Sequence, residues 1–194
     1  MKENFTELVF ILDKSSSMSS LTRETIEGFN SFIEKLQNER GGQILLTTIL
    51  FNHNYTVLHD RVDLKEIKPL TKRDYLAQGC TALLDAIGKT LLNIQHMRNN
   101  RNPEENPDQV LFVITTDGEE NSSREFSTAQ IKQMVSEKQE SGWEFIFLGA
   151  NIDAFGEAGQ LGIPRNRAQT FAADSDGIKL NYRVLGDLVC DYHL

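Results

Sequence analysis

Apolar positions along the chain alternate between the two periods that mark strands and helices. Glu7 to Asp13 is a short apolar run of β-formers ended by polar Ser residues, which predicts a strand buried on both faces. From Leu21 to Glu39 the period lengthens, with Ile26, Phe29, Ile33 and Leu36 on one helical face and Gly41-Gly42 as the stop. Gln43 to Asn52 returns to a strand. After the turn-like Asn52-His53-Asn54, Tyr55 to Leu64 is more polar and alternates, as an antiparallel edge strand should.

Beyond a break at Pro69, Thr81 to Met97 places Leu84, Ile87, Leu91 and Ile94 on one helical stripe. Asn99 to Asp108, with Pro103 and Pro107, reads as a surface loop. Gln109 to Thr116 is the clearest buried strand, and Ser127-Thr128-Ala129-Gln130 has the form of a capping box opening a helix with Ile131, Met134 and Val135. Trp143 to Ala150 predicts another strand, Ala154 to Leu161 a short helix and Ala168 to Ala172 a last short strand. A C-terminal helix follows, bearing Ile178, Tyr182, Leu185 and Leu188. The alternation predicts a doubly wound α/β fold: a mainly parallel six-stranded sheet with one antiparallel edge strand and helices on both faces. No linker divides the sequence, so one domain is expected over 1–194.

Composition narrows the function classes. With 39% hydrophobic and 25% charged residues, the 194-residue chain can bury a core without disulfides or metals to staple it. A formal charge of −8 and scattered Lys and Arg argue against nucleic acid as a partner. No apolar run approaches the roughly 18 residues of a membrane helix. The start, Met1-Lys2-Glu3-Asn4-Phe5-Thr6-Glu7, lacks the features of a secretory signal, so a cytoplasmic address is expected. Cys80 and Cys190 lie far apart with no zinc-like spacing, which fits a reducing compartment.

In doubly wound sheets, ligands bind beyond the carboxyl ends of the strands. The first strand ends in Asp13-Lys14-Ser15-Ser16-Ser17-Met18, and the strand at Gln109 to Thr116 ends in Asp117-Gly118-Glu119-Glu120-Asn121. Asp13 and Asp117 therefore share one rim. Alternating Asp13, Ser15 and Ser17 can aim three oxygen donors at one point, and Gly79-Cys80-Thr81 brings a further hydroxyl at a helix start. Hydroxyls and carboxylates without thiolate or imidazole suit Mg²⁺ or Mn²⁺ better than zinc or copper. A Ser-rich turn after a strand is commonly only a helix cap. A cap, however, predicts neither Asp117-Gly118 nor Gly79-Cys80-Thr81.

On these residues the chain resembles a stand-alone bacterial von Willebrand factor type A domain with a metal-ion-dependent adhesion site, over nearly its whole length. The family pattern Asp-x-Ser-x-Ser, then Thr, then Asp-Gly is met by Asp13, Ser15, Ser17, Thr81 and Asp117. The resemblance implies a Rossmann-like fold and a metal-dependent protein-binding module without catalysis. It also implies that Ser15 and Ser17 ligate the metal directly, Thr81 directly or through water, and Asp13 and Asp117 mostly through water, while an Asp or Glu of a protein partner completes the shell. Ser16 and Cys80 depart from residues common in the family, and neither departure removes a ligand.

Other readings stay open at this point. A Mg²⁺-dependent phosphatase of the haloacid-dehalogenase kind would need a second acid where Ser15 stands. A Ser hydrolase would need a His base, and no His has an evident Asp orienter. An adaptor subunit presenting clients to a separate ATPase or modifying enzyme is the third; the chain has no P-loop. His53 in the turn after the second strand and His59 on the edge strand read as solvent-facing, Glu119 and Glu120 as a solvated loop pair, and Asp153 as a helix cap.

Overall fold

The computed structural model describes residues 4–39 and 42–193; the side chains of 191–193 are not described. Residues 1–3, on which part of the N-terminal reading rests, and Gly41 of the Gly41-Gly42 stop lie outside the described residues.

Six strands, β1 (Phe5–Asp13), β2 (Gln43–Phe51), β3 (Tyr55–Asp63), β4 (Gln109–Thr116), β5 (Glu144–Ala150) and β6 (Ala168–Phe171), form one sheet in the order β3-β2-β1-β4-β5-β6. All neighbours are parallel except β2 and β3, as expected of a hairpin joined by Asn52 to Asn54. Strand order reverses at β1, which sits between β2 and β4. That reversal opens a crevice beyond the ends of β1 and β4.

The period of two sorts the side chains of β1 onto opposite faces. Leu8, Phe10 and Leu12 face helices α1 (Thr22–Asn38) and α5 (Ser175–His193). There Phe10 lies edge-on to Phe29 at 5.4 Å and stacks on Tyr182 at 6.2 Å. Val9 and Ile11 face α2 (Leu83–Asn99), α3 (Thr128–Glu140) and α4 (Ala154–Gln160). Each buried Leu, Ile or Phe contributes about 1.5–3 kcal/mol, so both faces hold the strand ends in place.

The predicted capping box is present: Gln130 N–H donates to Ser127 Oγ and Ser127 N–H to Gln130 Oε1. Three features differ from expectation. Ser16–Leu21 forms a 3-10 helix leading into α1. Leu188 is exposed, because Ile178, Tyr182, Leu185 and Val189 make the inward stripe of α5. The polar edge strand β3 is bulged, and Arg61 within it has a left-handed φ of 52° that turns its side chain inward.

Candidate metal centre

Asp13 is the last residue of β1, and its side chain is fully buried. Such a carboxylate needs donors. Oδ1 accepts the Ser15 N–H at 2.7 Å, and Oδ2 accepts the Thr116 hydroxyl at 2.6 Å. Thr116 ends β4, and the β1–β4 register, with Leu12 beside Thr115, brings it next to Asp13. From Asp13 a string of oxygens leads outward. Ser15 Oγ lies 3.1 Å from Ser17 Oγ, which donates to Asp117 Oδ1 at 2.6 Å.

Thr81 joins this group across Gly118. A Cβ on Gly118 would stand 3.2 Å from Thr81 Oγ1 and 3.6 Å from Ser17 Oγ, so a side chain there would intrude between the two hydroxyls. The structure thus gathers Asp13, Ser15, Ser17, Thr81 and Asp117 at one rim, as the sequence places them. Burial pushes the Asp13 carboxyl up to about 6, with the Thr116 and Ser15 hydrogen bonds opposing and the Asp117 charge adding to the rise. Burial also raises Asp117, against its hydrogen bond from Ser17. Among the described residues neither carboxylate makes a salt bridge, and no cation is among the main influences on either.

The donor set therefore fits a hard cation: two carboxylates without a salt bridge, three hydroxyls and space kept by Gly118. Among the described residues no three His, Cys, Asp or Glu side chains gather to hold a metal, so a cation here would rest on hydroxyls combined with the aspartates.

Loops from across the rim fix these donors. Ser16 N–H donates to Gly79 O at 2.9 Å and Gln78 N–H to Lys14 O at 2.8 Å, tying the Ser loop to the segment before Thr81. Asn52 grips the same segment, its Nδ2 donating to Gln78 O at 2.6 Å while its carbonyl accepts the Ala82 N–H at 2.9 Å. Gly79 has φ +81°, and a Cβ there would lie 2.1 Å from His53 Nδ1. Asn121 Oδ1 accepts the Thr81 N–H at 2.9 Å, and Thr81 O accepts the Asn121 and Ser122 N–H groups.

The other residues weighed in the sequence fall outside the cluster. His53 is exposed beside Asn54, as expected. His59 is half-buried rather than solvent-facing, its Nδ1 3.0 Å from Thr48 Oγ1. Glu119 is exposed, but Glu120 is not solvated loop: its oxygens accept the N–H groups of Leu84, Ser122 and Ser123. Asp153 caps α4 through the Gly156 N–H at 3.0 Å. Thr116, Asn52 and Asn121 were not legible as site residues. Thr116 alone had a signal, since pairing the two strand ends in register sets it beside Asp13.

The family model of the von Willebrand factor type A domain matches residues 7–181. No curated protein sequence matches the chain. Among solved structures, the von Willebrand domain of the type V pili tip protein Mfa5 from Porphyromonas gingivalis superposes with a TM-score of 0.70 at 10% identity, over 99% of this chain and 97% of that one. The pilus adhesin SpaC from Lactobacillus rhamnosus GG gives 0.73 at 11% identity, over 100% and 31%. Proximal thread matrix protein 1 from the mussel byssus, described with a zinc-occupied MIDAS motif, gives 0.62 at 16% identity, over 97% and 48%. The chain spans about half the length of that mussel protein.

Proposed function

The chain belongs to the von Willebrand factor type A domain family, and from that premise we propose that it is a metal-dependent protein-binding module without catalytic turnover. In this reading Asp13, Ser15, Ser17, Thr81 and Asp117 hold a Mg²⁺ or Mn²⁺ ion, and an Asp or Glu of a protein partner completes the shell. The observation that carries it is the linked run Asp13–Ser15–Ser17–Asp117, two carboxylates without a salt bridge and two hydroxyls, faced by the Thr81 hydroxyl across Gly118. The zinc-occupied motif of the mussel protein supports a divalent cation. When bound, the ion supplies local positive charge and a replaceable coordination position.

The chain's own residues do the remaining work. Thr116 and the Ser15 N–H orient Asp13, Asp117 orients the Ser17 hydroxyl, and Asn121 holds the Thr81 backbone. A phosphatase of the haloacid-dehalogenase kind has less support, because position 15 offers a hydroxyl hydrogen-bonded to Ser17 rather than a second carboxylate. The reading includes a cytoplasmic address, which rests on the sequence alone. Recovery of the protein from culture medium instead of the cell interior would overturn that address.

Isothermal titration with Mg²⁺ and Mn²⁺ tests the site. One site is expected, and Ser17→Ala and Asp13→Ala should each weaken it about tenfold or more while circular dichroism shows a retained fold. Unchanged affinity in both variants would remove the assignment. The partner is tested by pull-down from native cells with Mg²⁺ or chelator. Capture should need the metal, weaken in Thr81→Ala, and be lost when the partner's carboxylate is changed to its amide. A partner held equally well in chelator would demote the cluster to a structural cation site.

A further inference from the structure

A cleft lined by none of the five candidate metal ligands stands beside β3. The segment after β3 forms an open cleft of about 630 Å³ against that strand, with Leu58, Pro69 and Leu70 as its apolar lining and Lys68, Lys72 and Arg73 around it. Asp74 is the one carboxylate among the lining residues, and its Oδ2 is already engaged by the Thr71 N–H at 2.9 Å and hydroxyl at 2.6 Å. The cleft is therefore locally cationic on a chain of formal charge −8.

The Thr71 hydrogen bonds, with smaller help from His59 and Arg73, hold the Asp74 carboxyl below its ordinary value. Among the described residues Lys68, Lys72 and Arg73 make no ion pair, nor does Lys65 beside them, whereas Arg23, Lys35, Lys89 and Arg167 all do. The wall is also anchored. Leu70 is clamped by Asn30, which donates from Nδ2 to Leu70 O at 2.9 Å and accepts the Leu70 N–H at 2.7 Å, while the Tyr75 hydroxyl donates to Asp13 O at 2.6 Å. A ligand would meet a preformed surface, which lowers the ordering cost of binding.

We propose that this cleft docks a short acidic segment of a protein partner, an apolar side chain entering over Leu58 and Pro69 while flanking Asp or Glu residues meet Lys68, Lys72 and Arg73. Charge complementarity selects the acidic flanks and the apolar lining selects the residue between them. The same features disfavour nucleic acid: His59 is the one ring among the lining residues, with no Phe, Tyr or Trp beside it to build a stacking platform, and a long polyanion extends past the patch into the field of an acidic molecule. The proposal does not depend on a bound metal.

The test uses a fluorescein-labelled peptide of alternating Glu and Leu, titrated by anisotropy against the full chain in chelator, with a Gln-and-Leu peptide as control. The acidic peptide should bind, weaken about tenfold between low salt and 0.5 M NaCl as screening shortens the reach of the charges, and lose at least about tenfold with Lys72→Glu/Arg73→Glu. Amide chemical-shift changes should centre on Leu58, His59 and 68–74. Lys132→Glu, a charge reversal elsewhere on the surface, should leave the affinity unchanged. Equal binding of the control peptide, full affinity in the double variant, shifts centred on another face, or preferential binding of single-stranded DNA would overturn the proposal. Because chelator is present throughout, these outcomes are independent of whether the metal reading holds.

Discussion

Asp13 illustrates how a single hydroxyl decides whether a buried charge is tolerable. Thr116 donates to it at 2.6 Å, and Thr116→Val would keep the shape while leaving the carboxylate one donor short. A lost hydrogen bond to a buried charged group costs about 1–3 kcal/mol, and removal of an orienting partner behind a metal ligand typically weakens the metal about 10–100-fold. Urea unfolding and Mg²⁺ calorimetry of Thr116→Val should show both losses, and Thr116→Ser should recover them. A variant indistinguishable from wild type in both measurements would mean that Thr116 does not set the carboxylate. Gly79 is the second residue on which the rim turns. Gly79→Ala meets a left-handed φ of +81° and the His53 ring, so it should lower stability by about 1–3 kcal/mol. Combining it with His53→Ala separates the causes: recovery of most of the loss assigns it to the clash, and persistence to backbone strain.

At the scale of elements, helix α2 begins without a side-chain cap of its own, since Ala82 is the N-cap residue. The unpaired N–H groups of its first turn are met from another loop: Glu120 Oε2 accepts from Leu84 and Ser123 Oγ from Asp85, while Asp85 returns the contact by accepting the N–H groups of Arg124, Glu125 and Phe126. Thr81 sits immediately before this junction. Glu120→Ala should therefore cost about 1–2 kcal/mol and speed hydrogen exchange at Leu84, Ser122 and Ser123 more than at Ile131 on α3. Uniform exchange changes across both helices would show that Glu120 acts on global stability and not on this junction. The junction also marks where sequence reading stops. Strands and helices were legible because burial on two faces writes continuous apolar runs and burial on one writes a stripe. The Asp-x-Ser-x-Ser, Thr and Asp-Gly positions were legible because they stand at strand ends and a helix start. Glu120 and Asn121 were not, since their partners lie in a different stretch of chain and the pattern around them is that of a polar loop. Nor was the buried place of Arg61 legible, because a polar alternating edge strand does not announce its register shifts or the left-handed φ at Arg61.

Across the whole molecule, β1 carries a buried acid at each end. Glu7, fully buried, is six residues and so about 20 Å from Asp13, with Arg61 Nε 2.9 Å from its Oε1 and Arg98 3.4 Å from its Oε2. The Arg61 contact lies outside hydrogen-bond geometry, leaving all three guanidinium nitrogens without an acceptor. Burial raises the Glu7 carboxyl above its ordinary value although both arginines act to lower it. A carboxyl raised on folding adds stability that is present below its unfolded value near 4.5 and is lost as pH rises through the folded value. The cluster is thus an electrostatic cost at neutral pH, yet breaking it is worse than keeping it. Arg61→Met alone leaves Glu7 less compensated and should destabilise by about 3–5 kcal/mol, whereas Glu7→Leu/Arg61→Met should be neutral or stabilising and lose that part of the pH dependence above 4.5. Sites this far apart without shared partners act additively, so the double variant should bind Mg²⁺ as wild type does. Denaturant titrations across pH, paired with calorimetry on the same samples, decide the matter. If the double variant is as unstable as Arg61→Met, the ion cluster supports the fold by more than charge compensation. If it also loses Mg²⁺, the two ends of β1 are coupled and the metal centre cannot be treated as a local construction of its rim.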